Sequence, residues 1–218
     1  MYSFILLFCN ASVYYVELFL KQRSAMKEKD GNIGFGNDEA LMWAVSQGRR
    51  DALNALMDRY MPMVSRTSYR ILCDQAESDD VTQEVFVKVW SNAYGFDGRY
   101  SLSTWIYRIT TNLCYDKLRR RRVLDFLSIS PSLYEMSAPQ ALSPEEDYIT
   151  KETWEIFCRA SRGLSPKQRT VFTLRDLEEL STEEVEAITG LTPDQIKSNL
   201  HIARKKVRSE LEKYGKVR

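Results

Sequence analysis

Histidine is nearly missing from this chain: His201 is the single one among 218 residues. It sits in a lysine-rich stretch with no nucleophile paired to it, so a histidine-dependent triad has no support. The four cysteines (Cys9, Cys73, Cys114 and Cys158) are widely scattered and form no CxxC pair. Without that spacing no zinc ligand set emerges, and reduced cytosolic thiols are the expectation. Carboxylates are abundant but spread along helix faces, so the acid cluster that a metal-dependent nuclease needs is missing as well. An excess of one charge is also lacking: 31 Lys and Arg stand against 30 Asp and Glu, for a net charge of +1. The charge is instead segregated. Arg99–Arg122 and Lys197–Arg218 are basic and Glu178–Glu186 is acidic, and such local patches act on partners more than the total does. No cofactor and no small-molecule substrate are expected.

A long apolar run occurs only in the first twenty residues, MYSFILLFCNASVYYVELFL. It is barely long enough to span a bilayer, and Asn10, Ser12 and Glu17 interrupt it. It also lacks the basic start and small-residue cleavage site of a signal peptide. Three readings stay open for residues 1–25: a membrane anchor, a helix packed on the protein, or translated sequence upstream of a start at Met26. The polar stretch Lys27–Asn37 after Met26 reads as an ordinary cytosolic N-terminus, so the misassigned start is preferred and a cytoplasmic protein expected.

What is present is helical periodicity, and the length suffices for one or two small domains. The fold class expected is all-α: two small helical domains joined by a flexible linker. Asn37 caps a helix carrying Leu41, Met42, Ala44 and Val45, which Gly48 closes. Ala52, Leu53, Leu56, Met57 and Tyr60 form a second pattern, and Pro62 opens a third with Val64, Tyr69, Ile71 and Leu72. In the next helix, started by Ser78 or Asp79, Val81, Val85, Phe86, Val89 and Trp90 make one apolar stripe. Asp80, Gln83 and Glu84 share its opposite face. Further on, Leu102, Ile106, Ile109 and Leu113 point inward, while Arg108, Asn112, Tyr115, Arg119 and Arg122 form an outward stripe. Cations and donors in a line along one helix suit a phosphate backbone. Between these helices Phe96, Tyr100, Trp105 and Tyr107 offer flat faces for an unstacked base. Each feature has a plainer explanation: an acidic face is usually solvated, dense aromatics are usually core, and four arginines could hold RNA or acidic lipid as well as DNA.

Regular pattern is lost over residues 123–143, where Pro131, Pro139 and several serines mark a linker. About twenty residues reach at most roughly 70 Å when extended, about two turns of duplex at ~34–36 Å each. Beyond it one capping device recurs. Ser143-Pro144-Glu145-Glu146, Ser165-Pro166-Lys167-Gln168 and Thr192-Pro193-Asp194-Gln195 each supply a cap, a proline and an acceptor at the third helical position, and Ser181-Thr182-Glu183-Glu184 repeats the box without proline. Helix starts are thereby expected near residues 144, 166, 182 and 193. Gly190 ends the third helix, and the short turn to the fourth makes a helix-turn-helix. The last helix buries Ile196, Leu200, Ala203, Val207 and Leu211. It exposes Asp194, Gln195, Lys197 and Ser198 where base edges are read, with Arg204, Lys205, Lys206 and Arg208 for phosphates.

The order of the motifs is more specific than any of them alone. Asp80-Val-Thr-Gln83-Glu84, the Gly98-Arg99-Tyr100 loop, Leu102-Ser-Thr-Trp105 and Thr111-Asn112…Asp116 resemble the second conserved region of bacterial sigma factors. Leu164-Ser-Pro-Lys-Gln-Arg169 to Arg175, with Ile196-Lys-Ser198…Leu200…Ala203-Arg204, resembles the fourth. The resemblance covers roughly Ala40–Arg122 and Ser143–Lys213, without the extra regions of housekeeping members, and so points to the extracytoplasmic-function (ECF) group of the sigma-70 family. It implies a non-catalytic factor that lends promoter specificity to RNA polymerase. It places Asp80, Gln83 and Glu84 on the β′ clamp helices. It assigns −10 recognition and melting to Phe96, Arg99, Tyr100, Trp105, Arg108, Asn112, Lys117, Arg119, Arg120 and Arg122. To −35 recognition it assigns Asp194, Gln195, Lys197, Ser198, Asn199, Arg204 and Lys205, on a domain that meets the β flap. The boundaries implied are 26–122 for the first domain, 123–143 for the linker and 144–218 for the second. Implied partners are core polymerase, promoter DNA and an anti-sigma factor, often membrane-bound in such systems.

Departures from the family pattern matter. Asp194-Gln195 stands where Gly-Thr is common, Asn199 and Ile202 where arginines are common, and Glu186 where a small alanine usually packs. A carboxylate at 186 must reach solvent or a partner, because unpaired burial is costly. Three rivals are weighed against the resemblance. A stand-alone helix-turn-helix regulator leaves the Asp80/Gln83/Glu84 face idle, a nuclease lacks its acid cluster, and a membrane-tethered interaction protein depends wholly on residues 1–20.

Overall fold

A computed structural model describes residues 37–126 and 154–215. The apolar segment 1–25, the Ser143 capping box and most of the expected linker lie outside the described residues. Helix α1 (Asp38–Ser46) starts where Asn37 Oδ1 accepts the Ala40 amide at 2.8 Å. It ends before Gly48 at φ +78°, a left-handed turn that glycine takes without steric cost.

Helix α2 (Arg50–Leu72) is one uninterrupted element with Pro62 inside it, not two helices meeting there. A mid-helix proline removes the bond to the Asp58 carbonyl and costs about 3 kcal/mol. Leu56, Tyr60 and Val64, on either side of it, are all buried, and each such side chain contributes roughly 1.5–3 kcal/mol. Packing therefore wins over propensity. Pro62→Ala is expected to stabilise the protein by about 1–2 kcal/mol, read as a higher urea midpoint; a lower midpoint would show that the packing requires a bend at Pro62.

Helix α3 (Gln75–Ser91) begins ahead of the expected caps, because Asp74 accepts the Glu77 amide at 2.9 Å. Ser78 is instead buried and donates to the Asp74 carbonyl. Val81, Val85, Phe86 and Val89 are buried as the stripe requires, whereas Trp90 stands at its edge and is 36% exposed. After a 3₁₀ turn (Ala93–Gly95), α4 (Leu102–Phe126) continues past Arg122. The first residues of the expected linker are thus helical. No proline or glycine lies between Arg122 and Phe126, and Pro131 comes later.

The second unit comprises α5 (154–162), α6 (Pro166–Phe172) running into a π turn (Thr173–Leu177), α7 (Thr182–Thr189) and α8 (Pro193–Gly215). Three of the anticipated capping boxes close in both directions: Ser165 with Gln168, Ser181 with Glu184, and Thr192 with Gln195. Gly190 at φ +69° ends α7, and α7–turn–α8 is a helix-turn-helix. Ile196, Leu200, Ala203 and Val207 are buried; Leu211 is not, since α8 outlasts the body it packs on.

The described residues hold two hydrophobic cores. Leu41, Leu56, Ile71, Val81, Val85, Leu102 and Ile106 centre the first. Phe157, Leu164, Leu174, Val185, Ile188 and Ile196 centre the second, to which Tyr107 of α4 also belongs, with Met63 and Cys73 of α2 packed against it. The two units are therefore docked. At the seam the Glu178 side chain, only 2% exposed, meets Arg66 Nη2 at 2.9 Å, Arg70 Nη1 at 3.0 Å and the Tyr107 hydroxyl at 3.2 Å. Arg70 also donates to the Leu177 carbonyl at 2.6 Å. Arg169, buried, donates to the Ile71 carbonyl at 3.1 Å and twice to that of Ser161. Tyr69 stacks on Trp154 with ring centroids 4.9 Å apart. Burial and the Glu178 charge push the Tyr107 phenol well above its ordinary range, so it stays a neutral donor to that carboxylate.

Candidate nucleic-acid interface

Asp80, Gln83 and Glu84 are exposed on one face of α3, opposite its buried valines. Glu84 lies 3.9 Å from Lys88 one turn on, and Asp80 lies 3.4 Å from Lys117 of α4. Burial, and then the Asp80 charge acting against a Gln75 hydrogen bond, raise the Asp79 carboxyl above its usual range. Val87 joins this face and is 65% exposed, with Tyr94 exposed just beyond it. Both are missed by a search for charge. The signal for Val87 was present in its spacing, three residues after Glu84 and seven after Asp80.

The loop aromatics divide. Phe96 and Trp105 pack edge to face, ring centroids 5.7 Å apart, against the first core. Tyr100 is half exposed, and exposed Arg99 pairs with Asp97 at 3.0 Å. Tyr107 is no base platform: it is buried in the seam on Glu178, because the second unit covers that side of α4.

Along α4, Arg108, Asn112, Arg119 and Arg120 are exposed and Tyr115 is half-buried. The four-arginine run is functionally split. Arg121 turns inward to Glu77 at 2.7 Å, Asp74 at 3.7 Å and the Leu72 carbonyl at 3.0 Å. Arg122 donates to the Leu164 carbonyl at 3.1 Å in the second unit. Lys117, half-buried, turns to Asp80 and away from the outward stripe.

On the helix-turn-helix, Asp194, Gln195, Lys197 and Ser198 are exposed at the start of α8. The Gln195 amide oxygen is engaged in the Thr192 cap, and half-buried Asn199 donates to the Gln195 carbonyl at 2.8 Å. Arg204 is tied to Asp176 at 2.8 and 2.5 Å, so it braces α8 on the π turn. Lys206 donates to the Gly163 carbonyl at 2.9 Å. Lys205 and Lys197 are exposed cations of this face. Glu186 reaches solvent, as its charge demands, and Ile202 is 37% exposed. No helix among the described residues is long and apolar enough to cross a membrane.

An acidic helix beside an arginine-lined one, joined to a helix-turn-helix unit, defines a two-unit all-α protein of transcription. Sigma-70 region 2 matches residues 56–123 and Sigma-70 region 4 matches residues 157–207, together more than half of the chain. The chain belongs to the sigma-70 family, in its ECF group. It is 28% identical over 173 residues to the ECF RNA polymerase sigma factor SigW of Bacillus subtilis, covering 77% of this chain and 92% of that one. Over 181 residues it is 28% identical to the ECF RNA polymerase sigma-E factor of Escherichia coli, covering 80% and 94%. Its fold is similar to that of the sigma factor RpoE in complex with the anti-sigma factor NepR from Bartonella quintana. There the TM-score is 0.58 and the identity 21%, over 73% of this chain and 96% of that one.

Proposed function

We propose that this chain binds core RNA polymerase through Asp80, Gln83 and Glu84 and carries it to promoters whose −10 and −35 elements its two units read. The observation that carries the reading is the acidic face of α3: three polar side chains, exposed on one helix, back to back with the helix that bears Arg108, Asn112, Arg119 and Arg120. A stand-alone DNA binder has no use for that pairing. Residues 26–122 form the polymerase-docking and −10 unit, and 144–218 the −35 unit that meets the β flap. On the −10 side Phe96 and Trp105 support the loop that presents Arg99 and Tyr100. On the −35 side Lys197, Ser198 and Lys205 approach DNA from α8. The factor is non-catalytic and cytoplasmic, with bond formation left to the polymerase. An anti-sigma protein that covers one or both units is the expected regulator, in keeping with the complex in which the RpoE relative was solved.

Binding to purified core polymerase, followed by run-off transcription, tests the reading. Asp80→Lys with Glu84→Lys is expected to weaken association about tenfold, because like charges then face the partner's patch. Failure of the unaltered chain to associate, or indifference to the reversal, would favour a stand-alone regulator.

A further inference from the structure

The seam between the units contains a pair of thiols that the proposed function does not use. Cys73 ends α2 in the first unit, and Cys158 lies on α5 in the second. Cys73 packs against the second core, of which Cys158 is a member. The Cys73 sulfur is also 3.5 Å from the Ser161 hydroxyl, which donates to the Cys158 carbonyl. Cys73 is partly exposed and Cys158 is buried, the arrangement of an attacking thiol with a sheltered partner behind it. Cys73 also holds φ at +52°, a left-handed conformation that costs a side-chain-bearing residue about 1–2 kcal/mol. Glycine would fill that position with less strain, so its occupant adds something that the turn alone does not need.

We propose that Cys73 and Cys158 are a peroxide-oxidisable pair whose disulfide ties the two units together in their docked arrangement. The surroundings favour the thiolate at the less buried member. Burial by itself would raise the Cys73 thiol, but neighbouring Cys158, the Arg169 guanidinium, Ser161 and Arg121 outweigh it and bring it down to about 7. Burial, and then neighbouring Cys73, push Cys158 far up, so it remains the protonated partner. In the first step the Cys73 thiolate attacks one oxygen of hydrogen peroxide. The O–O bond breaks, leaving a sulfenic acid and a hydroxide that takes the Cys158 proton as water. In the second, the Cys158 sulfur attacks the Cys73 sulfur, the S–O bond breaks, and hydroxide leaves to be protonated by solvent. Two thiols and one peroxide become one disulfide and two waters.

The functional consequence rests on the sigma-factor reading; the bond itself does not. Elements at −10 and −35 lie about two and a half turns apart, roughly 85–90 Å at 34–36 Å per turn. A unit of fewer than 100 residues has a radius of gyration of about 13 Å, so two units in contact have centres only some 30 Å apart. The docked arrangement cannot hold both elements, and Arg122 of the −10 helix is spent on the seam. A disulfide across the seam makes that arrangement permanent until it is reduced.

The test treats the reduced full chain with stoichiometric hydrogen peroxide, alkylates remaining thiols and digests with trypsin. The expected product is segment 71–88, which carries Cys73, joined to segment 152–159, which carries Cys158. The protein should migrate as a monomer without reductant. Run-off transcription with core polymerase should fall more than about tenfold on oxidation, because a covalent bond between docked surfaces removes the separated state, and should return with dithiothreitol. Cys158→Ser, which retains a small polar side chain, should yield no joined peptides and no such loss. Separate peptides with Cys73 oxidised alone, or Cys73 joined to another cysteine or to a second chain, would overturn the pair. Joined peptides with undiminished transcription would overturn the switch. Failure of the reduced chain to support transcription would instead count against the sigma-factor reading, with the peptide map still deciding the bond.

Discussion

Glu178→Ala is expected to separate the two units while leaving each folded. The Glu178 carboxylate is nearly sequestered and gathers Arg66, Arg70 and the Tyr107 hydroxyl from the first unit. Arg70, with a side chain only 3% exposed, would keep the Leu177 carbonyl but lose its counter-charge. Removing one partner of a buried pair leaves the other charge uncompensated, at a cost of about 3–5 kcal/mol. That cost falls on the seam, because Arg66, Arg70 and Tyr107 reach Glu178 across it and neither core depends on the carboxylate. Small-angle scattering should show a larger radius of gyration with unchanged helical circular dichroism. Glu178→Gln, which keeps an acceptor, should lie between the two. An unaltered scattering profile would show that the apolar seam around Tyr107 and Phe157 suffices without the charge.

Arg169→Leu should have the second-largest effect, of a different kind. The guanidinium forks between the Ser161 carbonyl, at 3.1 and 2.5 Å, and the Ile71 carbonyl at 3.1 Å. It therefore closes the α5–α6 corner as well as the seam. Burial first, then the positive charges of Arg121 and Arg122, lower its basicity, so the site already holds its charge at a cost. Leucine would leave two buried carbonyls short of a donor, at roughly 1–3 kcal/mol each. A fall in the urea midpoint equivalent to about 3 kcal/mol is the expected result. Arg169→Lys should recover only part of it, since an ammonium cannot reproduce the fork. A change under about 1 kcal/mol would mean that solvent reaches those carbonyls once the side chain is gone.

The elements most legible in the sequence are those whose hydrogen bonds close within a few residues. Asn37, Ser165, Ser181 and Thr192 each cap an amide three positions on, and nothing distant is needed to see it. The buried stripes of α3 and α8 follow in the same way from a period of 3.6. Pro62 shows the limit of such reasoning. Its local preference is to break a helix, and only the packing on both sides of it reverses that. Trp90, Leu211 and Tyr107 show another: periodicity assigns a face to a residue, but what covers that face belongs to the rest of the chain.

The candidate interfaces divide similarly. The line of Asp80, Gln83 and Glu84 is a property of one helix and is visible in five consecutive residues. Which arginines face outward is not. Arg119, Arg120, Arg121 and Arg122 look equivalent as a run, yet Asp74, Glu77 and the Leu72 carbonyl claim Arg121, and the Leu164 carbonyl takes Arg122. Arg204 reads as a phosphate contact until Asp176 is found beside it.

By itself the amino-acid sequence determined the helix starts, the helix-turn-helix and the acidic face of α3, all matters of short-range spacing, and the order of its motifs carried the resemblance to the sigma-70 family. The tertiary structure alone decided that the two units dock, that Glu178 is their shared counter-ion, that Tyr107 is buried and that Cys73 meets Ser161 beside Cys158. Those contacts join residues more than seventy positions apart. Their energies come from desolvated charge and close packing, which arise only once distant surfaces have met.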